Sequence, residues 1–169
     1  MESTTPRRHS HPVLTQVQNN TTLWIGHMYN DPKDHFAGQT FTCPATGPLD
    51  NIQVFATAVQ NPGDVELTLH EFDVESKTWG AIIGHSSLFI EKADHTKWVR
   101  FTLPAIQLQK GQTYGFRLHT NNAMIGLGEA ATGNKEPFTF GHEWNADSTN
   151  QLGHYYSYFS LAFKVELCA

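Results

Sequence analysis

The stretch from Trp98 to Leu118, WVRFTLPAIQLQKGQTYGFRL, constrains the fold more than any other part of the chain. Apolar and polar residues alternate from Val99 to Leu103, which is the period-two pattern of a strand with one buried face. Strand pairing should break at Pro104, because proline cannot donate a hydrogen bond to a sheet ladder. The alternation resumes from Tyr114 to Leu118. Two strands joined by an extended, proline-containing connection are typical of sheets that change partners, as in sandwiches and jelly rolls.

The rest of the chain repeats this pattern in short segments. About ten such segments, separated by turn signals such as Asn61-Pro62-Gly63-Asp64, predict an all-β protein with an antiparallel β-sandwich of jelly-roll topology. Phe138 and Phe140 are taken as one more short strand. The final alternating segment, from His154 to Leu167, would extend roughly 46 Å at about 3.3 Å per residue, which is too long for one layer. We therefore expect a bulge or bend near Ser157.

Length, charge and hydropathy limit the number of domains and the kinds of partner that we expect. A chain of 169 residues can bury one core, so we expect a flexible N-terminal leader over residues 1–12 and a single sandwich domain over residues 13–169. A net charge of -5 with 11 Lys and Arg residues argues against a nucleic-acid partner. No apolar run approaches the roughly 18 residues that a membrane span needs.

The N-terminal residues and the cysteines leave alternatives open. Residues 1–16 lack the apolar segment of a signal peptide, so the chain is expected to be either cytoplasmic or a module excised from a larger secreted protein. Cys43 and Cys168 could pair if a strand end meets the C-terminus, and two free thiols are an equally open alternative.

Four runs of the sequence resemble a known family. GQTFTCPATGPLDNIQV, NPGDVELTLHEFD, WVRFTLPAIQLQKGQTYGFRL and YSYFSLAFKVEL are similar to bacterial jelly-roll accessory domains of the carbohydrate-binding-module-like or choice-of-anchor type. The resemblance covers Ala37 to Leu167. It implies a carbohydrate-binding-like β-sandwich without chemistry of its own, on a cell-surface or secreted protein. This family offers no agreed catalytic residues, so none is carried over.

Aromatic residues in loops or on polar sheet faces suggest a binding function. Sugars are held by flat aromatic faces together with amide, carboxylate, guanidinium or imidazole groups that bond hydroxyls. The main hypothesis is therefore a non-catalytic module that binds a glycan. Trp144 could instead cap the end of the sandwich, and Tyr156 and Tyr158 could instead pack across strands. The candidate ligand-binding residues are Trp79, Trp144, Asn145, Asp147, His154, Tyr156 and Tyr158.

Two other functions remain open at this point. A structural or protein-interaction sandwich of an extracellular assembly is the first alternative, with a protein as partner. The second is a metal-assisted enzyme, although the histidines within the domain are isolated rather than arranged as an HxH pair. The one metal site suggested locally is calcium at Asp31 and Asp34, where two carboxylates share a short loop; both are also ordinary turn residues. No other cofactor is predicted.

Overall fold

A computed structural model describes residues 9–28, 31–132 and 136–168. Within these residues the chain forms fourteen strands and one 3₁₀ turn at Lys92–Asp94, and every strand pair is antiparallel. The strands are β1 (Ser10–Gln16), β2 (Thr21–His27), β3 (Asp34–Thr42), β4 (Gly47–Asn61), β5 (Gly63–Asp73), β6 (Thr78–Ile90), β7 (Lys97–Thr102), β8 (Gln107–Leu108), β9 (Thr113–Thr120), β10 (Met124–Ala131), β11 (Glu143–Asp147), β12 (Asn150–Tyr156), β13 (Phe159–Leu161) and β14 (Phe163–Cys168).

The strands form two layers that enclose one apolar core. The longest strand, β4, pairs with β14, β10, β7 and β8, whereas β12, β11, β3, β9, β5 and β6 follow one another in the other layer. Phe163 of β14 contacts Phe41 of β3 and Phe116 of β9, with ring centroids 6.1 and 5.8 Å apart. Since β14 is not paired with β3 or β9, these contacts cross the space between the layers. The prediction of an all-β antiparallel sandwich of jelly-roll type is confirmed.

The stretch from Trp98 to Leu118 changes layer as its sequence predicts. Strands β7 and β8 both pair with β4, and the ladder stops between them around Pro104. Strand β9 then pairs with β3 and β5 in the opposite layer. One continuous stretch thus supplies strands to both sides of the core.

The final segment bends where a bulge was expected. β12 ends at Tyr156, and β13 begins at Phe159, so the chain leaves the strand conformation at Ser157 and Tyr158. The three pieces pair with different neighbours: β12 with β11, β13 with β10, and β14 with β1 and β4. A straight strand could not reach all of these partners.

The predicted short strand at Phe138 and Phe140 is wrong. Both residues lie in an irregular segment that makes isolated backbone hydrogen bonds, such as the one from Phe138 N to Ser157 O at 2.8 Å. The Phe140 ring packs edge-to-face on Phe163, with centroids 5.6 Å apart. Their alternating apolar character therefore reflects packing at the end of the core, without a continuous ladder.

The first strand begins three residues before the expected boundary at residue 13. Strand β1 begins at Ser10, and residues Ser10, His11 and Pro12 pair with the C-terminal strand β14. Residues 1–8 of the expected leader lie outside the described residues. None of the described residues forms a helix with the length and apolar composition needed to span a membrane.

Cys43 and Cys168 are free thiols. The Cys43 Sγ atom lies 3.2 Å from the carbonyl oxygen of Ala45, and the Cys168 Sγ atom lies 3.8 Å from that of Leu49. Burial raises the pKa of the Cys43 thiol, so this group stays protonated at neutral pH. Of the two alternatives left open by the sequence, the structure shows unpaired cysteines.

Candidate functional site

One row of residues crosses five strands on the outer face of the layer that contains β9. Strand pairing places Thr68, Arg117, Gly38, Trp144 and Tyr155 side by side, from β5 through β9, β3 and β11 to β12. The neighbours of the β9 member in its own strand point into the core and are buried. Because side chains alternate along a strand, the row faces away from that core.

Two glycines leave room for indole rings on this face: Gly38 in the row, and Gly115 two residues before Arg117 on β9. A Cβ atom on Gly115 would lie 2.5 Å from the Cζ3 atom of Trp79, and one on Gly38 would lie 3.1 Å from the Cε3 atom of Trp144. The two indoles therefore rest against strand backbone. Their ring centroids are 5.5 Å apart with an interplanar angle of 64°, which is an edge-to-face contact.

The Arg117 guanidinium lies against both indoles. Its Cζ atom is 4.2 Å from the centroid of Trp79 and 4.4 Å from that of Trp144, within the range of a cation–π contact. Burial lowers the pKa of Arg117, but a guanidinium remains charged at any physiological pH. Across the part of the chain that the structure describes, this side chain has no ion pair, and its buried Nε atom has no hydrogen-bond partner.

A groove of about 820 Å³ opens over this guanidinium. We call it the indole groove. The turn that joins β11 to β12 and the start of β12 form one wall, and Leu152 on β12 is 86% exposed. Its described lining residues carry two positive charges and no carboxylate, in a chain whose net charge is -5. The lining residues used below are Lys77, Trp79, Arg117, Asn150, Gln151 and Tyr155.

Tyr155 closes the indole groove on the side of the β5–β6 hairpin. Its hydroxyl donates to the carbonyl oxygen of Lys77 at 3.2 Å, and the Lys77 ammonium lies 5.9 Å from its ring centroid. Burial raises the pKa of the Tyr155 hydroxyl, although neighbouring Trp79 and Arg117 oppose that shift. The hydroxyl is therefore protonated at neutral pH and can hydrogen-bond as a neutral group.

The predicted ligand-binding residues do not form one cluster. Trp79 lines the indole groove, whereas Asn145, Asp147 and His154 line a second groove of about 410 Å³ beside Trp24. We call this second one the loop groove. The β11–β12 hairpin lies between the two grooves and contributes lining residues to each. A binding role for these residues stays a prediction.

Asp147 has a local structural role in the loop groove. Its Oδ1 atom accepts hydrogen bonds from the backbone N–H groups of Thr149 and Asn150, at 2.8 and 2.9 Å. The side-chain hydrogen bond from Thr149 makes the largest contribution to lowering the pKa of Asp147, and the backbone hydrogen bond from Thr149 makes the next largest. This is the pattern of an aspartate that holds a tight turn.

Two of the other three predicted aromatics, Trp144 and Tyr156, make packing contacts, and the backbone of Tyr158 joins two segments. Trp144 is only 2% exposed, and its Nε1 atom donates to the carbonyl oxygen of Leu152 at 2.9 Å. The Tyr156 ring packs edge-to-face on Phe159, with centroids 5.6 Å apart, and the Tyr158 carbonyl accepts a hydrogen bond from Thr132 N at 3.1 Å. Trp144 is thus buried on the outer face of the layer that contains β9, where it packs against Trp79 and Arg117, rather than at the end of the sandwich.

The two carboxylates of the expected calcium loop contact histidines. Asp31 Oδ2 lies 2.9 Å from His35 Nε2, and Asp34 Oδ1 lies 3.0 Å from His27 Nδ1. The hydrogen bond with His35 lowers the pKa of Asp31. Over residues 9–28, 31–132 and 136–168, no group of three or more His, Cys, Asp or Glu side chains is placed to hold a metal ion. Calcium at this loop stays a prediction.

Two buried carboxyl groups lie close together, Glu129 on β10 and Glu143 on β11. Glu129 and Glu143 are 7% and 1% exposed. Burial, and to a lesser degree the neighbouring Glu129, raise the pKa of Glu143 to about 10, so Glu143 is protonated at neutral pH. Its Oε1 atom has no hydrogen-bond partner among the described residues. The carboxyl lines neither groove.

Sequence reasoning missed the residues that organise the indole groove, namely Gly38, Gly115, Arg117 and Tyr155. One signal was available in YGFRL, where a glycine and an arginine share the outward face of a strand whose other face is apolar. An isolated glycine within a strand often marks a place where another group approaches the backbone closely. Here that group is the Trp79 ring from β6.

Comparisons with known proteins support the fold alone. No protein-family model matches the sequence, and no curated protein matches it. Among solved structures, the fold is similar to one of the clostridial cysteine protease Cwp84 after propeptide cleavage, with a TM-score of 0.57 and 7% sequence identity. The similarity covers 93% of this chain and 39% of that chain, so this protein spans about two fifths of the neighbour's length.

Proposed function

We propose that this chain is a non-catalytic binding module and that its ligand is a glycan held in the indole groove. The observation that carries the proposal is the stack of Trp79, Arg117 and Trp144, which opens into a groove together with Tyr155. Aromatic rings pack against the C–H faces of sugars, and guanidinium, hydroxyl and amide groups bond their hydroxyls.

The groove combines these two kinds of contact in one place. Trp79 and Tyr155 are half-buried and line it, while Asn150 and Gln151 supply exposed amides at its edge. Each amide can both donate and accept hydrogen bonds, as neighbouring sugar hydroxyls require. A volume of about 820 Å³ lies within the range of roughly 300–1,000 Å³ that is usual for small-molecule sites.

The aromatic wall is rigid before any ligand binds. The Trp79 ring meets His70 and Phe72 in edge-to-face contacts, each with centroids 5.3 Å apart, and rests on the backbone of Gly115. His70 is itself fixed, since its Nδ1 atom lies 3.0 Å from the carbonyl oxygen of Gly80. A ring that is already ordered loses little conformational entropy on binding, which favours affinity.

The test is titration of the intact protein against a panel of oligosaccharides, with two matched glutamine variants. Gln151→Ala removes an exposed amide at the edge of the groove, whereas Gln107→Ala removes one on β8, outside it. We expect the first to weaken binding about 3- to 10-fold, the loss of one hydrogen bond, and the second to leave it unchanged. Absence of binding to every oligosaccharide, or equal effects of the two variants, would contradict the proposal.

A second candidate function, contact with a protein partner, is favoured by strand β6. Among the described strands, β6 pairs only with β5, and Ile82 and Phe89 on it are 60% and 53% exposed. Edge strands with exposed apolar side chains are common sites of strand-to-strand association. A sedimentation coefficient that rises with protein concentration would support this function if the Ile82→Lys variant no longer shows that rise. A monomer at all concentrations would argue against self-association.

A further inference from the structure

We propose that the indole groove selects saccharides that carry a carboxylate, and that Arg117 binds that carboxylate. This inference rests on the proposed function and adds the chemical class of the ligand. It follows from a charge that the protein itself leaves uncompensated.

The first step concerns the pairing of Arg117. A partly buried guanidinium is normally paired with a carboxylate, because removing a charge from water is costly. The structure contains no such partner within its described residues, and no carboxylate influences the pKa of Arg117. Glu66, two residues from Thr68 along β5, contacts His85 and His119 instead. The positive charge is therefore available to a ligand.

The second step concerns geometry. Trp79 and Trp144 hold the guanidinium from two directions, at 4.2 and 4.4 Å, and so fix its plane. A fixed planar guanidinium can form two parallel hydrogen bonds to a carboxylate, which a lysine ammonium cannot reproduce. Lys77 adds a second positive charge at the exposed edge of the groove. An anionic ligand thus meets two cations, and one of them is preorganised.

The third step concerns the surroundings. The protein carries a net charge of -5, so its overall charge is unfavourable for binding an anion. The described lining of the indole groove contains no Asp or Glu. This local reversal of charge distinguishes the groove from the loop groove, whose lining includes Asp147. Acidic saccharides are accordingly expected at the indole groove rather than the loop groove.

The experiment is calorimetric titration of the full chain with three matched ligands. These are an oligosaccharide of uronic acids, the same oligosaccharide with its carboxyl groups reduced to alcohols, and this reduced oligosaccharide carrying sulfate esters. We expect the uronate to bind at least 10-fold more tightly than its reduced form. The ligand change leaves the protein untouched, so this comparison stands even if a variant folds poorly.

Protein variants locate the effect. Arg117→Lys keeps the charge and loses the planar fork, and we expect it to weaken uronate binding at least 10-fold. Arg100→Lys, at an exposed position of β7 outside the groove, is the matched control and should bind as the original chain does. Thermal unfolding and near-UV circular dichroism establish that both variants keep the fold.

Each result decides between defined outcomes. Equal affinity for the uronate and its reduced form would overturn the carboxylate inference and leave the glycan-binding proposal standing. Tighter binding of the sulfated ligand than of the uronate would also overturn it and would make sulfate the recognised group. Binding of none of the three, nor of any oligosaccharide in the wider panel, would overturn both proposals.

Discussion

Replacing Gly115 by alanine tests whether the Trp79 ring rests against the strand backbone. The new Cβ atom would lie 2.5, 2.8 and 3.3 Å from the Cζ3, Cη2 and Cε3 atoms of Trp79. Ordinary carbon–carbon contacts are about 3.5–4.0 Å, so the whole indole must move by about 1 Å. Its other contacts, with His70, Phe72 and Trp144, oppose that movement.

The magnitude follows from this confinement. Overpacking by one methyl group in a rigid site costs about 1–3 kcal/mol in the free energy of unfolding. For a chain of this length, about 2 kcal/mol lowers the midpoint of thermal unfolding by roughly 4–8 °C. Displacement of Trp79 should also weaken the near-UV circular dichroism that arises from the Trp79–Trp144 pair.

Gly84→Ala is a matched control, because its added Cβ atom would also lie 2.5 Å from the nearest side-chain atom. A Cβ atom there would lie 2.5 Å from the Cδ1 atom of Ile106, which is the far end of a flexible side chain. Because that methyl group can rotate away, Gly84→Ala should cost clearly less than Gly115→Ala. Thermal unfolding and near-UV circular dichroism of both variants give the comparison. Equal unfolding midpoints, with an unchanged spectrum for Gly115→Ala, would refute the described packing.

Three further predictions concern the pH dependence, the backbone and the core. The folded pKa of Glu143 lies far above its unfolded value of 4.5, so the folded chain keeps a proton that the unfolded chain releases, and stability falls as pH rises from about 4.5 towards 10. Urea denaturation across this range measures the slope of the free energy of unfolding against pH, and Glu143→Gln should make that slope shallower by up to about 1.4 kcal/mol per pH unit. An unchanged slope would count against a buried, protonated carboxyl. Thr96 has a φ of 58°, which is unfavourable for a β-branched residue, so Thr96→Asn should raise the free energy of unfolding by about 1 kcal/mol, and a decrease would contradict this. Phe163 is fully buried between the layers, and Phe163→Ala should cost about 3–5 kcal/mol in chemical denaturation; a loss under 1 kcal/mol would be inconsistent with its central position.

The fold was predictable because its determinants are local. Period-two alternation, Pro104 and the turn signals predicted the sandwich, the change of layer after β8 and the break near Ser157. The error at Phe138 and Phe140 has a physical cause. Alternation reports which side chains are buried, and two aromatics can be partly buried beside a core without any sheet ladder.

The site was less predictable because it depends on register between strands that are distant in sequence. Trp79 and Trp144 were recognised as candidates, but the sequence does not show that both lie over Arg117. That arrangement requires Gly38 of β3 to pair with Arg117 of β9 along one edge of its strand and with Trp144 of β11 along the other edge. The polar loop after Trp144 suggested one cluster, whereas the β11–β12 hairpin divides it between two grooves.

The most direct test of the account is an NMR titration with an oligosaccharide that binds, observed at the side-chain N–H groups. The chain has four tryptophans, at different places: Trp79 and Trp144 beside Arg117, Trp24 at the loop groove, and Trp98 packed on Phe55. The account predicts that the Trp79 indole and Arg117 Nε–H signals shift together while that of Trp98 stays in place. Shifts at Trp24 with no change at Trp79 or Arg117 would contradict it.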